Sequence, residues 1–364
     1  MLSRLKVGVL FGGCSGEHEV SIMSAASVYK NLDPQRYDPM AIGISKKGHW
    51  FLIKDPRRVF DGGAIDADEN IPVTLLGQPV EKPFVSLEGI PQDQPDVIFP
   101  VLHGPYGEDG TIQGLLDLAG IPYVGAGVLA SSVGMDKEMM KKVFRQAGLP
   151  VVNDVTVMRY SVENDIGAVI DNIVNGIGYP CFVKPANLGS SVGISKAENS
   201  KELKKALLEA SMFDSKLVVE EGVDAREIEC SVLGNNFPKA SLPGEIIPSA
   251  DFYDYNAKYI SGDSRLIIPA SLTEGQRKEI QDLAIKVFKA IDCSGLGRVD
   301  FFILKDSGEI YVNEINTMPG FTKISMYPKL WEETGLPYGE LLTKLVELAF
   351  ERNADRKRNR ISYQ

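Results

Sequence analysis

Cysteine and histidine are scarce in this chain, and the scarcity removes whole classes of chemistry. Four cysteines in 364 residues (Cys14, Cys181, Cys230, Cys293) are scattered without a C-x-x-C spacing, and the three histidines (His18, His49, His103) do not cluster with them. A disulfide scaffold and a zinc site of thiolates and imidazoles are therefore excluded, and the composition reads as that of a reduced, cytoplasmic protein. No apolar run is long enough to span a bilayer, and the opening "VGVLF" is too short for a signal peptide and runs straight into Gly12-Gly13. Basic charge is not in excess either: the net charge is −10, which argues against a general nucleic-acid binder and leaves small molecules as the expected partners. The one basic run, "ERNADRKRNR" at the C-terminus, reads as a solvated tail. No G-x-x-x-x-G-K-[ST] occurs, so phosphate, if bound, is held by something other than a P-loop.

What is present is an alternation of strands and helices. "LKVGVLF", a helix near Glu19 to Asn31, "DPMAIGI", "DVIFPVL" and a helix after Gly110 follow βαβ order, which predicts an α/β fold with a mostly parallel first sheet. A chain of this length suggests two or three domains. The helix "KEMMKKVFRQAG" stops at Gly148 with Pro150 beyond it, a natural start for a second unit. After about Glu221 the pattern becomes strand-rich, and "SADFYDYNAKYISGDSR" is a long polar and aromatic loop of the kind that serves as a lid or stays disordered. Thr273 with Gln276 predicts a capping box opening a helix that runs to about Ile291.

Chemistry concentrates in a few places. "DFFILKDSGEIYVNEINTMPG", residues 300–320, reads as a hairpin. A three-residue turn Asp306-Ser307-Gly308, with Gly308 left-handed, pairs Lys305 with Glu309 and sets Asp300 opposite Glu314; side-chain alternation then turns Asn316 the same way. Two carboxylates about 5 Å apart repel by roughly 3 kcal/mol at an effective dielectric near 20. Three hard oxygen donors suit Mg²⁺ shared with substrate phosphates; the alternative is a solvated strand face, or a carboxylate neutralised by Arg298. In "VKPANLGSSVGIS", Lys184 closes an apolar strand and the Gly189–Gly193 loop offers backbone N–H groups and two hydroxyls that can wrap phosphates, although such a loop also serves as a plain connection. Lys137 and Lys258 are further point charges for phosphate.

Two loops fall where parallel strands end, the usual ligand edge of such a sheet. "FGGCSGEHEVS" fails as a dinucleotide fingerprint because its glycines are wrongly spaced and Glu17 stands where a pyrophosphate would sit. A carboxylate there attracts an ammonium group, or simply favours the helix dipole. "HGPYGEDGTIQG" brings His103, Glu108 and Asp109 among glycines to the same edge.

Taken in order, "GGCSGEHEVS", "HGPYGEDGTIQG", "KPANLGSSVGIS", "YDYNAKY" and "GRVDFF" with "NEINTMPG" resemble the D-alanine–D-alanine ligase family of the ATP-grasp superfamily, over residues 12–320. The resemblance implies a three-domain ATP-grasp architecture: an N-terminal substrate-binding α/β domain (1–130), a central ATP-grasp domain (131–220) and a C-terminal ATP-grasp domain with the metal ligands (221–364). It makes Asp300, Glu314 and Asn316 ligands of two Mg²⁺ ions, which Mn²⁺ can replace, and Lys137, Lys184 and Lys258 phosphate lysines. Glu220, Val223 and Glu227 become the adenine and ribose hinge. Glu17 becomes the anchor for the first ammonium group, in a triad with Ser190 and Tyr259, and Ser325 the anchor for the second substrate's carboxylate. His103 helps position the substrates. Arg298 and the Gly320 N–H meet an oxyanion.

The implied reaction joins two D-alanine molecules through a D-alanyl phosphate made from ATP, for peptidoglycan precursor synthesis, in a cytoplasmic homodimer. Tyr259 in the lid motif favours an amine over a hydroxy-acid nucleophile, while Asn256 departs from an acidic residue common in the family. Two other readings compete: a nucleotide-dependent oxidoreductase, disfavoured by the glycine spacing and Glu17, and a catalytically silent ATP-grasp binding module, disfavoured by the complete oxygen-donor set with Arg298.

Overall fold

The computed structural model describes residues 4–190, 192–247 and 265–360. Its first sheet grows from β1 (Leu5–Gly12), an almost unbroken apolar run whose last six residues are buried, as expected for a strand covered on both faces. β1 lies parallel to β2 (Tyr37–Ile44) and to β6 (Val97–Pro100). Beyond β2 the sheet continues as an antiparallel meander, β3 (Trp50–Leu52), β4 (Ile71–Leu75) and β5 (Phe84–Ser86), giving the order β5-β4-β3-β2-β1-β6. The sheet is thus mixed rather than mostly parallel: the βαβ signal holds for β1 and β2, with β6 added parallel to β1, while β3, β4 and β5 pair antiparallel, the first of them through a short turn at Gly48. Gly12 ends β1 at φ 93°, where a Cβ would stand 2.1 Å from the Ile44 carbonyl oxygen, so only glycine lets the chain turn off toward α1 (His18–Asn31).

The second sheet is antiparallel, in the order β7-β10-β8-β9, from β7 (Asp154–Met158), β8 (Cys181–Pro185), β9 (Ser195–Ala197) and β10 (Lys216–Glu221). Helices Ile166–Gly176 and Ser200–Ala210 cover it, burying Ile173, Leu203 and Leu207 against Val183, Leu217 and Val219. In the chain between these two sheets comes helix Lys137–Gln146, whose Met140 and Phe144 enter the core of the third sheet.

That third sheet has the order β14-β13-β11-β15-β16, with β11 (Ala225–Gly234), β13 (Gly244–Ile247), β14 (Arg265–Ile267), β15 (Gly295–Leu304) and β16 (Ile310–Asn316), and the short β12 (Lys239–Ala240) pairs with the end of β11 off this path. Helix Glu274–Ala290 packs on it and opens with both halves of the capping box at Thr273 and Gln276, as the sequence predicts. Helix Tyr338–Arg356 returns to the first sheet, where Leu341, Leu342 and Leu345 join a core that runs from Val7 and Val9 to Leu233 and Leu296. The first and third sheets thereby share one apolar interior. Among the described residues no helix is long and apolar enough to cross a membrane.

The β15–β16 hairpin corrects the expected register near its turn. Leu304, not Lys305, faces Glu309, and Ile303, Phe302 and Phe301 pair with Ile310, Tyr311 and Val312. A register shift between Asp300 and Phe301 then inserts one extra residue in β16, so that Asp300 still faces Glu314 and Arg298 faces Asn316. Packing decides this: the expected register would set Phe301 of the core face opposite Asn313. Gly308 is left-handed at φ 74°, as expected.

Candidate active site

Along β15, Val299, Phe301 and Ile303 are buried toward the core helix, which leaves Arg298, Asp300 and Phe302 on the opposite face. Glu229 of β11 lies directly across from Asp300, and Glu314 of β16 flanks Asp300 on the other side. Arg298 answers this accumulation of negative charge: Nε and a terminal nitrogen each donate to an Asp300 oxygen at 2.7 Å, and Nε is also 2.9 Å from Glu229 Oε2. The neutralising role considered for Arg298 is therefore realised on Asp300. Asn316 Nδ2 donates to Asp300 Oδ2 at 3.1 Å, so the three expected ligands share one face.

Among the described residues no three His, Cys, Asp or Glu side chains form a metal cage. Two carboxylates and an amide fit instead a hard divalent ion completed by phosphate oxygens and water.

Facing this wall is the edge formed by the loops after β1 and β6, held together by Ser15 Oγ donating to the His103 carbonyl at 2.7 Å. Glu17 occupies the N-cap of α1 but makes no side-chain cap there; its carboxylate accepts from Ser190 Oγ of the Gly/Ser loop. Two glycines cup it: a Cβ on Gly104 would lie 2.5 Å, and one on Gly189 2.9 Å, from Glu17 Oε2. The carboxylate thus faces the Gly/Ser loop and Gly104 instead of capping α1. His103, buried behind it, has Nδ1 3.6 Å from Glu108 Oε1 and Nε2 3.3 Å from Ser24 Oγ. Burial acts to lower the His103 pKa, but Glu108, Glu17 and the Met318 carbonyl more than compensate and hold it above its ordinary value. Ser24 Oγ also receives the Phe321 N–H at 3.3 Å, which ties α1 to the segment that carries Gly320.

Ser325 sits at the N-cap of helix Met326–Glu333 without capping it by its side chain. Its hydroxyl lies against Thr322, accepting that residue's N–H at 3.0 Å, and a Cβ on Gly320 would come within 2.7 Å of it.

Three lysines gather on the side of the Gly/Ser loop, Lys137 in the cleft and Lys141 and Lys184 beside it. Lys137 Nζ donates to the Leu188 carbonyl at 2.7 Å. Lys184 Nζ donates to Glu220 Oε2 at 2.6 Å, and Lys141 Nζ stands 3.3 Å from the other Glu220 oxygen. Burial would raise the Glu220 pKa, yet the two lysines hold it down at about 2. For Lys184 burial works to lower the pKa and is outweighed by Glu220, with Glu314 and Glu227 adding to the rise.

One cleft collects Glu17, His103, Lys137 and Ser190 from one side and Arg298, Glu314, Asn316, Gly320 and Ser325 from the other. Asp300 reaches it through Arg298, while Lys184 and Glu220 lie beside it as a buried pair. Val223 lies in the connection between β10 and β11 and Glu227 on β11 beyond it; neither lines this cleft. Lys258 and Tyr259 fall outside the described residues. Sequence reasoning passed over Lys141 and Glu229. The spacing of Lys137 and Lys141, one helical turn apart, was a signal for the first, and the alternation of Glu227 and Glu229 along β11 for the second.

Comparison with known proteins converges on one family. Family models described as D-ala D-ala ligase N-terminus and D-ala D-ala ligase C-terminus match residues 6–126 and 143–347. A D-alanine–D-alanine ligase of Natranaerobius thermophilus is 51% identical over 359 residues, 98% of each chain. The solved structure of the D-alanine–D-alanine ligase from Coxiella burnetii superposes with a TM-score of 0.82 at 40% identity, covering 98% of each chain. The VanG D-Ala:D-Ser ligase from Enterococcus faecalis gives 0.86 at 37% identity, covering 95% of this chain and 100% of that one.

Proposed function

The chain belongs to the D-alanine–D-alanine ligase family, and we infer that its cleft joins two D-alanine molecules at the expense of ATP, making a peptidoglycan precursor. The observation that carries this reading is the Glu17 carboxylate, cupped by Gly104 and Gly189 and bonded to Ser190, in the same cleft as Lys137, Arg298 and the Glu314–Asn316 face.

Glu17 holds the ammonium of the first D-alanine, which orients that substrate's carboxylate toward the γ-phosphate of ATP. Attack forms D-alanyl phosphate and releases ADP, with Lys137 and Lys184 neutralising charge on the phosphoryl oxygens. Asp300, Glu314 and Asn316 would hold two Mg²⁺ ions, for which Mn²⁺ substitutes; bound there, the ions neutralise phosphate charge. Ser325 anchors the carboxylate of the second D-alanine, whose amine attacks the acyl carbon; loss of a proton from that nitrogen and cleavage of the acyl C–O bond, with phosphate leaving, give the amide. Arg298 and the Gly320 N–H meet the oxyanion, each donor worth about 3 to 4 kcal/mol. Glu220, Val223 and Glu227 take the adenine and ribose, Lys258 serves the γ-phosphate, and Tyr259 completes the triad with Glu17 and Ser190. The acyl phosphate must be kept from water, a task suited to the Gly189–Gly193 loop. The homodimer and the cytoplasmic location belong to the same reading.

The test is to supply ATP, Mg²⁺ and D-alanine, follow ADP and phosphate, and weigh the product, with L-alanine, D-serine and D-lactate as alternative second substrates. Dipeptide formed with D-alanine alone supports the reading. Phosphate without dipeptide, or product only with another acceptor, overturns the substrate assignment while keeping the phosphoryl chemistry.

A further inference from the structure

Two lysines stand one turn apart at the start of helix Lys137–Gln146, and the helix itself disfavours both. Lys137 is its first residue and Lys141 follows four residues later, so two like charges share a face at the spacing where they repel, beside the positive end of the helix dipole. Burial adds a further cost, since Lys141 is fully buried and Lys137 nearly so. Lys141 Nζ makes no well-formed hydrogen bond, and its ion-pair partner among the described residues is Glu220 at 3.3 Å. The other oxygen of that carboxylate is 2.6 Å from Lys184, so one anion serves two cations.

We propose that Lys141 is a positioning residue for ATP, fixing the Glu220 carboxylate so that Lys184 can turn its ammonium from that carboxylate to the nucleotide phosphates. Glu220 is the carboxylate that both ammonium groups reach, so a polyphosphate that takes Lys184 offers it one anion in place of another. With Lys184 as its sole partner, Glu220 would close a neutral buried pair, and drawing Lys184 away would strand a buried carboxylate, which is the costly event for such pairs. Lys141 removes that cost because it stays behind as the counter-charge. Its ammonium is shut away from the cleft, which makes its action indirect. The inference rests on the ATP-dependent reading above.

The test compares wild type, Lys141→Met and Lys141→Arg by calorimetry of Mg²⁺·ATP binding without D-alanine and by steady-state kinetics. Lys141→Met is expected to raise Kd and KM for ATP by about tenfold or more, leaving KM for D-alanine within about twofold, and Lys141→Arg to recover most of the loss. In a Glu220→Gln background, Lys141→Met is expected to change ATP affinity no further. Should Lys141→Met not fold, Lys141→Gln, which keeps a donor but no charge, is expected to rank with it. A lowered Tm with unchanged ATP affinity, or equal losses for ATP and D-alanine, would assign Lys141 to packing alone and overturn the proposal. Wild-type protein that binds no ATP would overturn the functional reading and this inference with it; wild type that binds ATP beside an indifferent Lys141→Met would overturn the inference only.

Discussion

Replacing Arg298 by Met separates what its guanidinium does for the fold from what it does for the reaction. The side chain is 17% exposed between Glu229 at 8% and Asp300 at 15%, two carboxylates directly opposite each other on adjacent strands. Methionine fills the stem but removes the charge, leaving these carboxylates to face one another. At about 5 Å and an effective dielectric near 20 their repulsion is about 3 kcal/mol, in line with the roughly 3 to 5 kcal/mol that follows loss of one partner of a buried ion pair. The two figures describe the same loss and do not add. Calorimetric unfolding without divalent ions should show a Tm several degrees below wild type. Added Mg²⁺ should narrow that gap, because a cation held at Asp300 supplies the missing positive charge. The rate should not recover, since losing one oxyanion donor costs about 10²- to 10³-fold in kcat. Arg298→Lys should regain more stability than rate, because an ammonium keeps the charge and loses the fork. Wild-type kcat in Arg298→Met, or a stability deficit indifferent to Mg²⁺, would refute the reasoning.

Thr273→Ala removes the hydroxyl that receives the Gln276 N–H in the capping box of helix Glu274–Ala290 and should cost about 1 kcal/mol of stability at unchanged kcat and KM; a kinetic change would mean that this helix end communicates with the cleft. The His103 pKa is raised in the folded state by Glu108 and Glu17 despite burial, so its contribution to stability is fully present below the unfolded value near 6.5 and is lost as pH rises through the folded value. Urea titrations from pH 6 to pH 9 should therefore show a downward slope in wild type that flattens in Glu108→Gln, and an equal slope in both would remove Glu108 as the cause. Deleting Asn313 should abolish the β16 bulge while keeping Ile310, Val312 and Ile315 on the core face, so that Tm falls little but the Mg²⁺ titration of activity shifts to higher concentration; an unshifted titration would make the bulge incidental to the ligand set.

The relation of sequence to structure is clearest at that bulge. Strict alternation from Ile310 and Val312 would make residue 314 apolar, yet the next buried position is Ile315, and the polar pair Asn313-Glu314 lies between. That two-residue gap in a period-two pattern marks an inserted residue, and with it the four-residue connection from Leu304 to Glu309 could have been read. The motif reasoning reached the pairing of Asp300 with Glu314 through a different register because the turn error and the missing bulge each amount to one residue and cancel. Elsewhere the sequence carried local signals faithfully: the capping box, the helix stop near Gly148, and the loop-end placement of Glu17 and His103 all depend on residues close in the chain. For Lys141 and Glu229 it carried only bare spacings, which acquire meaning when β10 brings Glu220 to helix Lys137–Gln146 and β11 brings Glu229 to Arg298. Charges of that kind look like ordinary solvated surface until the fold buries them. Their compensation is what folding supplies: at Asp300 through Arg298, and at Glu220 through two lysines, so that no buried carboxylate of either group is left without a counter-charge.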